Sequence, residues 1–193
     1  MTGDLIPAKV LATHTIANVS ETLAEKLGLP PQYRSIGIIT ADSDDVTYCA
    51  LDEATKAAAV EVVYGRSLYA GAANASTKLA GEVIGILAGP NPAEVQSGLR
   101  ACAEFMDSGV GFRSANEDDS ILYFAHTVSR TGTYLSKTAH VREGEALAYL
   151  IAPPLEAVVG LDEALKASDV ELAALFEPPS ETNFGGGLLT GTQ

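Results

Sequence analysis

A segment in the first half of the chain recurs in the second half. "LDEATKAAAVEV" begins at Leu51 and "LDEALKASDVEL" begins at Leu161, and eight of the twelve positions are identical. "THTIANVSETLAEKL" likewise aligns with "AHTVSRTGTYLSKTA", and "ILAG" ending at Gly89 corresponds to "LLTG" ending at Gly191. The offsets of these pairs, 110, 112 and 102 residues, differ by small changes in loop length. The sequence therefore predicts a tandem duplication of one module.

The two copies predict the same order of secondary structure. In the first copy, "AKVLATHTIAN" and "SIGIIT" are predicted strands on either side of a short helix, "SETLAEKLG", with Ser20 as N-cap and Gly28 as terminator. "LDEATKAAA" predicts a second helix, and "VEVVY" and "EVIGILAG" predict two strands separated by a long loop rich in Gly and Ala. A closing helix begins with Asn91 as cap and Pro92 at its first position.

The duplication predicts an α/β (α+β) protein with two domains, residues 1–108 and 109–193. Each domain is expected to hold a small antiparallel or mixed sheet flanked by helices. In the second copy the sequence stops at "LLTGTQ", so the counterpart of the closing helix is missing from this chain. We therefore expect the second domain to leave part of its sheet uncovered.

The low charge content limits the classes of partner. Only 19% of residues are charged, and 12 basic against 25 acidic side chains give a formal net charge of −13. This charge repels nucleic acid phosphates and anionic lipid surfaces. No apolar run in the sequence is long enough to cross a membrane. Cys49 and Cys102 stand alone and are expected to be reduced core thiols. A surface with so few charged residues favours burial in contacts between subunits.

The stretch "ADSDDVTY" places Asp42, Asp44 and Asp45 within four residues after an apolar run. Apolar and aromatic residues stand where an EF-hand needs oxygen ligands, which excludes that type of calcium site. A catalytic carboxylate pair and a solvated turn both stay open, because no matching acid, base or nucleophile is evident. The sequence also lacks a zinc motif, a Walker lysine and a dinucleotide fingerprint, so neither a metal nor a cofactor is predicted.

Several long stretches carry a family resemblance: "ADSDDVTY", "DEATK", "VEVVYGRSLYAGAA", "AGEV", "GPNPAE", "AHTVSRTGTYLS", "AYLIAPPLEA" and "PPSETNF". Together they closely resemble the EutL-type shell proteins of the ethanolamine-utilisation bacterial microcompartment. The resemblance implies two circularly permuted bacterial microcompartment (BMC) domains and a homotrimer that forms a pseudohexameric plate. It also implies assembly with other shell proteins into a shell in the bacterial cytoplasm, and passage of small metabolites without chemistry.

The resemblance also implies two kinds of pore. Asp44, Asp45 and Glu82, with the backbone near Phe112, would line small acidic pores that bind ethanolamine. A primary ammonium ion has three donors, and carboxylates are suitable acceptors for it.

A larger central pore would be gated by two loops with an aromatic residue in each. These loops contain Tyr69, Ala70 and Gly71 in the first copy and Asn183, Phe184 and Gly185 in the second.

Two other classes of function stay open from the sequence. One is a soluble amine-binding or sensor protein that uses the same acidic residues without forming a shell. The other is an enzyme of ethanolamine metabolism, which is disfavoured because no nucleophile arrangement or cofactor fingerprint is present.

Overall fold

The protein folds into two compact units. The structure, a computed structural model, describes residues 1–68, 81–178, 180 and 183–192. The first unit is Ala8–Ser108, and the second unit is Met1–Pro7 together with Gly109–Gln193. The cut after Ser108 lies where the sequence division placed it. Residues 1–7, which that division gave to the first domain, lie instead with the second unit, because their strand pairs with the strand that begins at Gly111.

The described residues contain ten strands and five helices. In chain order they are β1 (Leu5–Pro7), β2 (Val10–Ile16), α1 (Glu21–Leu27), β3 (Ser35–Ala41), α2 (Asp44–Ala57), β4 (Glu61–Ser67), β5 (Val83–Gly89), α3 (Pro92–Asp107), β6 (Gly111–Ser114), β7 (Leu122–Val128), α4 (Thr133–Ala139), β8 (Leu147–Ala152), α5 (Pro154–Ala167), β9 (Val170–Phe176) and β10 (Gly185–Gly191).

The two sheets confirm the duplication. The first unit has a four-stranded sheet in the order β2-β3-β5-β4. The second unit has a six-stranded sheet in the order β1-β6-β7-β8-β10-β9, so β7-β8-β10-β9 repeats the order of the first sheet. All pairings in both sheets are antiparallel. The fold is α+β with a duplicated module, as the sequence predicted.

Helix α3 packs closely against the sheet of the first unit and against α2. Val95 of α3 is fully buried, and a Cβ atom placed on Gly37 of β3 would lie 2.6 Å from its Cγ1 atom. The Cys102 thiol of α3 donates a hydrogen bond to the Ala50 carbonyl of α2 at 3.3 Å. Glycine at position 37 therefore lets the helix approach the strand.

The predicted helix ends are present in the first unit, although the Ser20 side chain makes no capping hydrogen bond to α1. Gly28 ends α1 in the left-handed conformation with φ of 65°, a conformation that glycine adopts without steric cost. The Asn91 side chain accepts a hydrogen bond from the Glu94 backbone N–H at 3.0 Å and so caps α3. The Glu94 carboxylate accepts from the Ala59 N–H at 2.8 Å, which ties α3 to the end of α2.

Helix α5 of the second unit leaves apolar side chains exposed. Helices α2 and α5 each have 14 residues, and the offset of 110 makes Val159 equivalent to Cys49. Val159 is 55% exposed whereas Cys49 is 2% exposed, because α3 covers α2 and no described residue of the second unit forms a counterpart of α3. The expectation concerned the sheet of the second domain, whereas these exposed apolar side chains lie on α5.

Both cysteines are free and buried, as expected. Burial raises the pKa of Cys102 to about 12, and burial together with nearby Asp45 raises the pKa of Cys49. Both thiols are therefore protonated at neutral pH and pack as small apolar groups. Among the described helices, none is both long and apolar enough to cross a membrane.

Candidate ligand-binding site

The stretch "ADSDDVTY" spans the junction between β3 and α2. Strand β3 ends at Ala41 and α2 begins at Asp44, with Ser43 as its N-cap residue. The sequence placed the helix start at Leu51, so the helix begins about two turns earlier than expected. The interpretation of the cluster as a solvated turn is therefore wrong for Asp44 and Asp45, which occupy the first turn of α2. Acidic side chains are stabilised there by the positive end of the helix dipole.

Asp42 has a structural role in this junction. Its carboxylate accepts a hydrogen bond from the Lys9 backbone N–H at 2.6 Å. Its own N–H donates to the Lys9 carbonyl at 3.2 Å. These bonds therefore join the residue just before β2 to Asp42, the residue just after β3.

Asp44 and Glu82 are brought together by the ends of four elements. The Ser67 hydroxyl, at the end of β4, donates to the Asp44 carboxylate at 2.9 Å. The Leu68 N–H donates to the Glu82 carbonyl at 2.6 Å, and the Glu82 N–H donates to the Ala41 carbonyl at 2.8 Å. These bonds place the end of β3, the start of α2, the end of β4 and the start of β5 side by side.

Glycine is required immediately before Glu82. Gly81 has φ of +69°, and a Cβ atom there would lie 2.3 Å from the Ala41 carbonyl oxygen. An L side chain at this position would be strained by both its backbone conformation and this contact. The backbone of Gly81 thus allows Glu82 to follow closely on the end of β3.

The carboxylates of this site interact electrostatically. The pKa of Glu82 is raised above its usual 4.5, first by partial burial and then by the negative charges of Asp44 and Asp42. In the part of the chain that the structure describes, no lysine or arginine forms an ion pair with these three carboxylates. A small cation would relieve their mutual repulsion.

Asp45 differs from its neighbour in accessibility. Its N–H donates to the Asp44 carboxylate at 2.9 Å, but the residue is only 7% exposed. Its charge contributes to the raised pKa of Cys49 one helical turn further along. Asp44 and Glu82 are therefore the more accessible of the three acidic residues that the family resemblance places at a small pore.

Phe112 lies in β6 of the second unit, apart in sequence from the acidic residues of the first unit. Its ring contacts Phe124 with centroids 5.5 Å apart and Phe184 with centroids 5.8 Å apart. The family resemblance implied that Phe112 lines a small pore and that Phe184 belongs to the central gate. Their ring contact was not predicted, and no local pattern joins two residues so far apart in the chain.

The residues assigned to the central gate are partly within the described chain. Asn183 is exposed, Phe184 is half-buried and Gly185 is the first residue of β10, where it pairs with Ala152. Tyr69, Ala70 and Gly71 lie outside the described residues. Within the described ranges, no group of three or more His, Cys, Asp or Glu side chains is arranged to hold a metal ion.

Comparisons with known proteins identify the family. The BMC domain family matches residues 35–115. The bacterial microcompartment shell protein EutL of Clostridium perfringens is 70% identical over 193 residues, which is all of this chain and 89% of that protein. The chain belongs to the EutL family of bacterial microcompartment shell proteins. EutL of Escherichia coli is 56% identical over 190 residues, 98% of this chain and 87% of that protein.

Solved structures of the EutL family share the fold closely. The crystal structure of ethanolamine utilization protein EutL from Leptotrichia buccalis matches with a TM-score of 0.97 and 68% sequence identity. The match covers all of this chain and 88% of the chain in that structure. This chain is accordingly a structural component of a bacterial microcompartment shell, and it assembles there with other shell proteins. Its relatives are named as shell proteins, and the prediction that the chain is not an enzyme is confirmed.

Proposed function

We propose that three copies of this chain form a pseudohexameric plate of the microcompartment shell in the bacterial cytoplasm. Each chain carries two units with the same strand order. Three such chains supply six modules, which closes a ring with sixfold-like packing and threefold symmetry. Family membership and the duplicated sheet order support this arrangement. In this plate the second unit's Asn183, Phe184 and Gly185 would face a central pore, together with Tyr69, Ala70 and Gly71.

The proposed activity is passage or sensing of a small primary ammonium metabolite at an acidic pore. The observation that carries it is the group formed by Asp44 and Glu82, held together through Ser67 and without a basic partner among the described residues. An ammonium group offers three N–H donors, and carboxylates bind it through charge-assisted hydrogen bonds. Ethanolamine is the proposed ligand, because a close relative is named an ethanolamine utilization protein.

The expected affinity is low. Ethanolamine has few atoms, and exposed carboxylates are screened by solvent and salt. We expect a dissociation constant on the order of micromolar to millimolar, which rises with added salt. A weak and salt-sensitive site suits passage, because the ligand must leave as readily as it enters.

Calorimetric titration with ethanolamine tests this proposal. Losing one hydrogen bond to a charged group costs about 1.5–3 kcal/mol, so Glu82→Gln and Asp44→Asn should each weaken binding by roughly ten- to a hundredfold. Ethylene glycol, which is neutral and of similar size, should bind far more weakly to the unchanged protein. Glu25→Gln is the matched control, because Glu25 is an exposed acidic residue of α1 in the same unit.

The comparison between variants decides the outcome. Unchanged affinity in Glu82→Gln and Asp44→Asn would overturn the assignment of these residues to a ligand site. Equal weakening in Glu25→Gln would show that only the total negative charge matters. Equal affinity for ethanolamine and ethylene glycol would remove the ammonium group as the recognised feature.

A further inference from the structure

Five aromatic rings of the second unit form a continuous series of contacts, which we call the aromatic ladder. In order of contact they are Phe184, Phe112, Phe124, Tyr149 and Phe176, with centroid distances of 5.8, 5.5, 5.5 and 5.9 Å. Strands β6, β7, β8 and β9 each supply one ring, and Phe184 immediately precedes β10. Aromatic pairs at these distances stabilise beyond the apolar area they bury.

The aromatic ladder connects the two ends of one loop. Phe176 is the last residue of β9 and Phe184 is the last residue before β10, so the segment between them begins and ends on the same series of rings. The Ser180 N–H also donates a hydrogen bond to the Phe184 carbonyl at 3.1 Å. Phe184 is therefore held at this end of the loop by its ring contact and by this backbone hydrogen bond.

Burial differs along the aromatic ladder. Phe124 is fully buried and Tyr149 is 4% exposed, so the middle of the ladder belongs to the core of the second unit. Phe112 and Phe184 are half-buried. Phe112 therefore contacts both Phe184, which lies beside the loop, and Phe124, which is fixed in the core of the sheet.

We propose that Phe112 is a positioning residue for Phe184. The Phe112 ring, anchored on Phe124, holds Phe184 against the sheet, and Phe184 leaves this position only when the ring contact breaks. The proposal deepens the function proposed above and rests on it for the assignment of Phe184 to a pore gate. The contact between the Phe112 and Phe184 rings then sets which position of the gate residue is favoured.

A single fluorescent reporter can test this contact. The chain has no tryptophan, so Phe184→Trp introduces one indole at the position of interest. Acrylamide quenching of its emission would be compared in the Phe184→Trp background with Phe112→Leu, Phe112→Tyr or Tyr123→Leu added. Tyr123 precedes Phe124 in β7 and so faces the other side of the sheet, which makes Tyr123→Leu a matched loss of one aromatic ring.

Loss of the Phe112 ring should expose the reporter. An aromatic pair contributes about 0.5–1.5 kcal/mol, so the population of the released position should rise about two- to tenfold in Phe112→Leu. The quenching constant should rise with it, whereas Phe112→Tyr and Tyr123→Leu should leave it unchanged. Equal quenching constants in Phe112→Leu and Tyr123→Leu, whether raised or not, would overturn the proposal.

Circular dichroism of each variant identifies any that fails to fold, and Phe112→Met would then replace Phe112→Leu. The measurement needs no metabolite and no pore. A negative result would leave the ammonium site and the trimer standing, and a negative calorimetric result would leave the positioning role of Phe112 standing.

Discussion

The three aspartates of "ADSDDVTY" have different surroundings and therefore different roles. Asp42 accepts a backbone hydrogen bond, Asp44 accepts from Ser67, and Asp45 is buried in the first turn of α2. The negative charges of Asp44 and Asp42 both raise the pKa of Glu82, and Asp44 has the larger effect of the two. Each of the three carboxylates is therefore held in place by a different set of contacts.

Glu82 should make the folded protein slightly less stable at neutral pH. Its pKa is raised in the folded state, so the unfolded chain loses this proton first as the pH rises. Stability is therefore lost between the ordinary pKa of 4.5 and the raised one, and the loss persists above both. We expect Glu82→Gln to be more stable than the unchanged protein at about pH 7. The difference should be only a few tenths of a kcal/mol, because Glu82 is buried in part only and solvent screens its charge.

Urea unfolding of both proteins at about pH 7 and at about pH 4 measures this difference. The advantage of Glu82→Gln should fade at the lower pH, where Glu82 is largely protonated in both the folded and the unfolded chain. A Glu82→Gln protein that is less stable at about pH 7 would contradict the repulsion inferred between Glu82, Asp44 and Asp42. The same change should weaken ethanolamine binding, so stability and binding are expected to move in opposite directions.

Local sequence patterns predicted most of the elements. Apolar and β-branched runs located the core strands of both copies, and Gly28 and Asn91 marked helix ends that the structure confirms. The start of α2 was predicted too late, because three aspartates suggested a turn. Asp and Ser are also the residues that favour the first turn of a helix, so composition alone did not distinguish the two.

Contacts between distant residues could not be predicted from local patterns. Ser67 meets Asp44 because β4 ends and α2 begins at the same edge of the first unit. Phe112 meets Phe184 because β6 and β10 share a sheet. The repeat itself made part of this predictable, since it established which elements correspond. It did not show which side chains of corresponding elements touch.

Gly37→Ala should destabilise the first unit. The added methyl group would lie 2.6 Å from Val95 Cγ1 and 2.9 Å from Leu99 Cδ1, so α3 would have to shift or its side chains would be strained. Overpacking of this kind costs about 1–3 kcal/mol, which urea unfolding would measure. The equivalent residue in the second unit, Ala148, already carries a methyl group, where no described helix takes the place of α3.

A double-mutant cycle with Val95→Ala provides the control. Removing the Val95 methyl groups makes room for the one added at position 37, so the two changes together should cost less than the sum of each alone. Strictly additive costs would show that the close approach of α3 to β3 does not limit the residue at position 37.

The whole chain repeats one module in two forms. Its first unit covers α2 with α3, and its second unit adds β1 and β6 to the sheet edge at β7 while α5 exposes Leu155, Val158 and Val159. The low fraction of charged residues and membership of a shell-protein family both favour burial of surface between chains. The proposed plate needs three chains because each one already supplies two modules.

Sedimentation equilibrium of the purified protein tests this arrangement most directly. Three chains of 20.0 kDa predict a single species of about 60 kDa at micromolar concentration. A species of 20.0 kDa that persists under these conditions, or a mass that fits two chains, would contradict the trimeric plate.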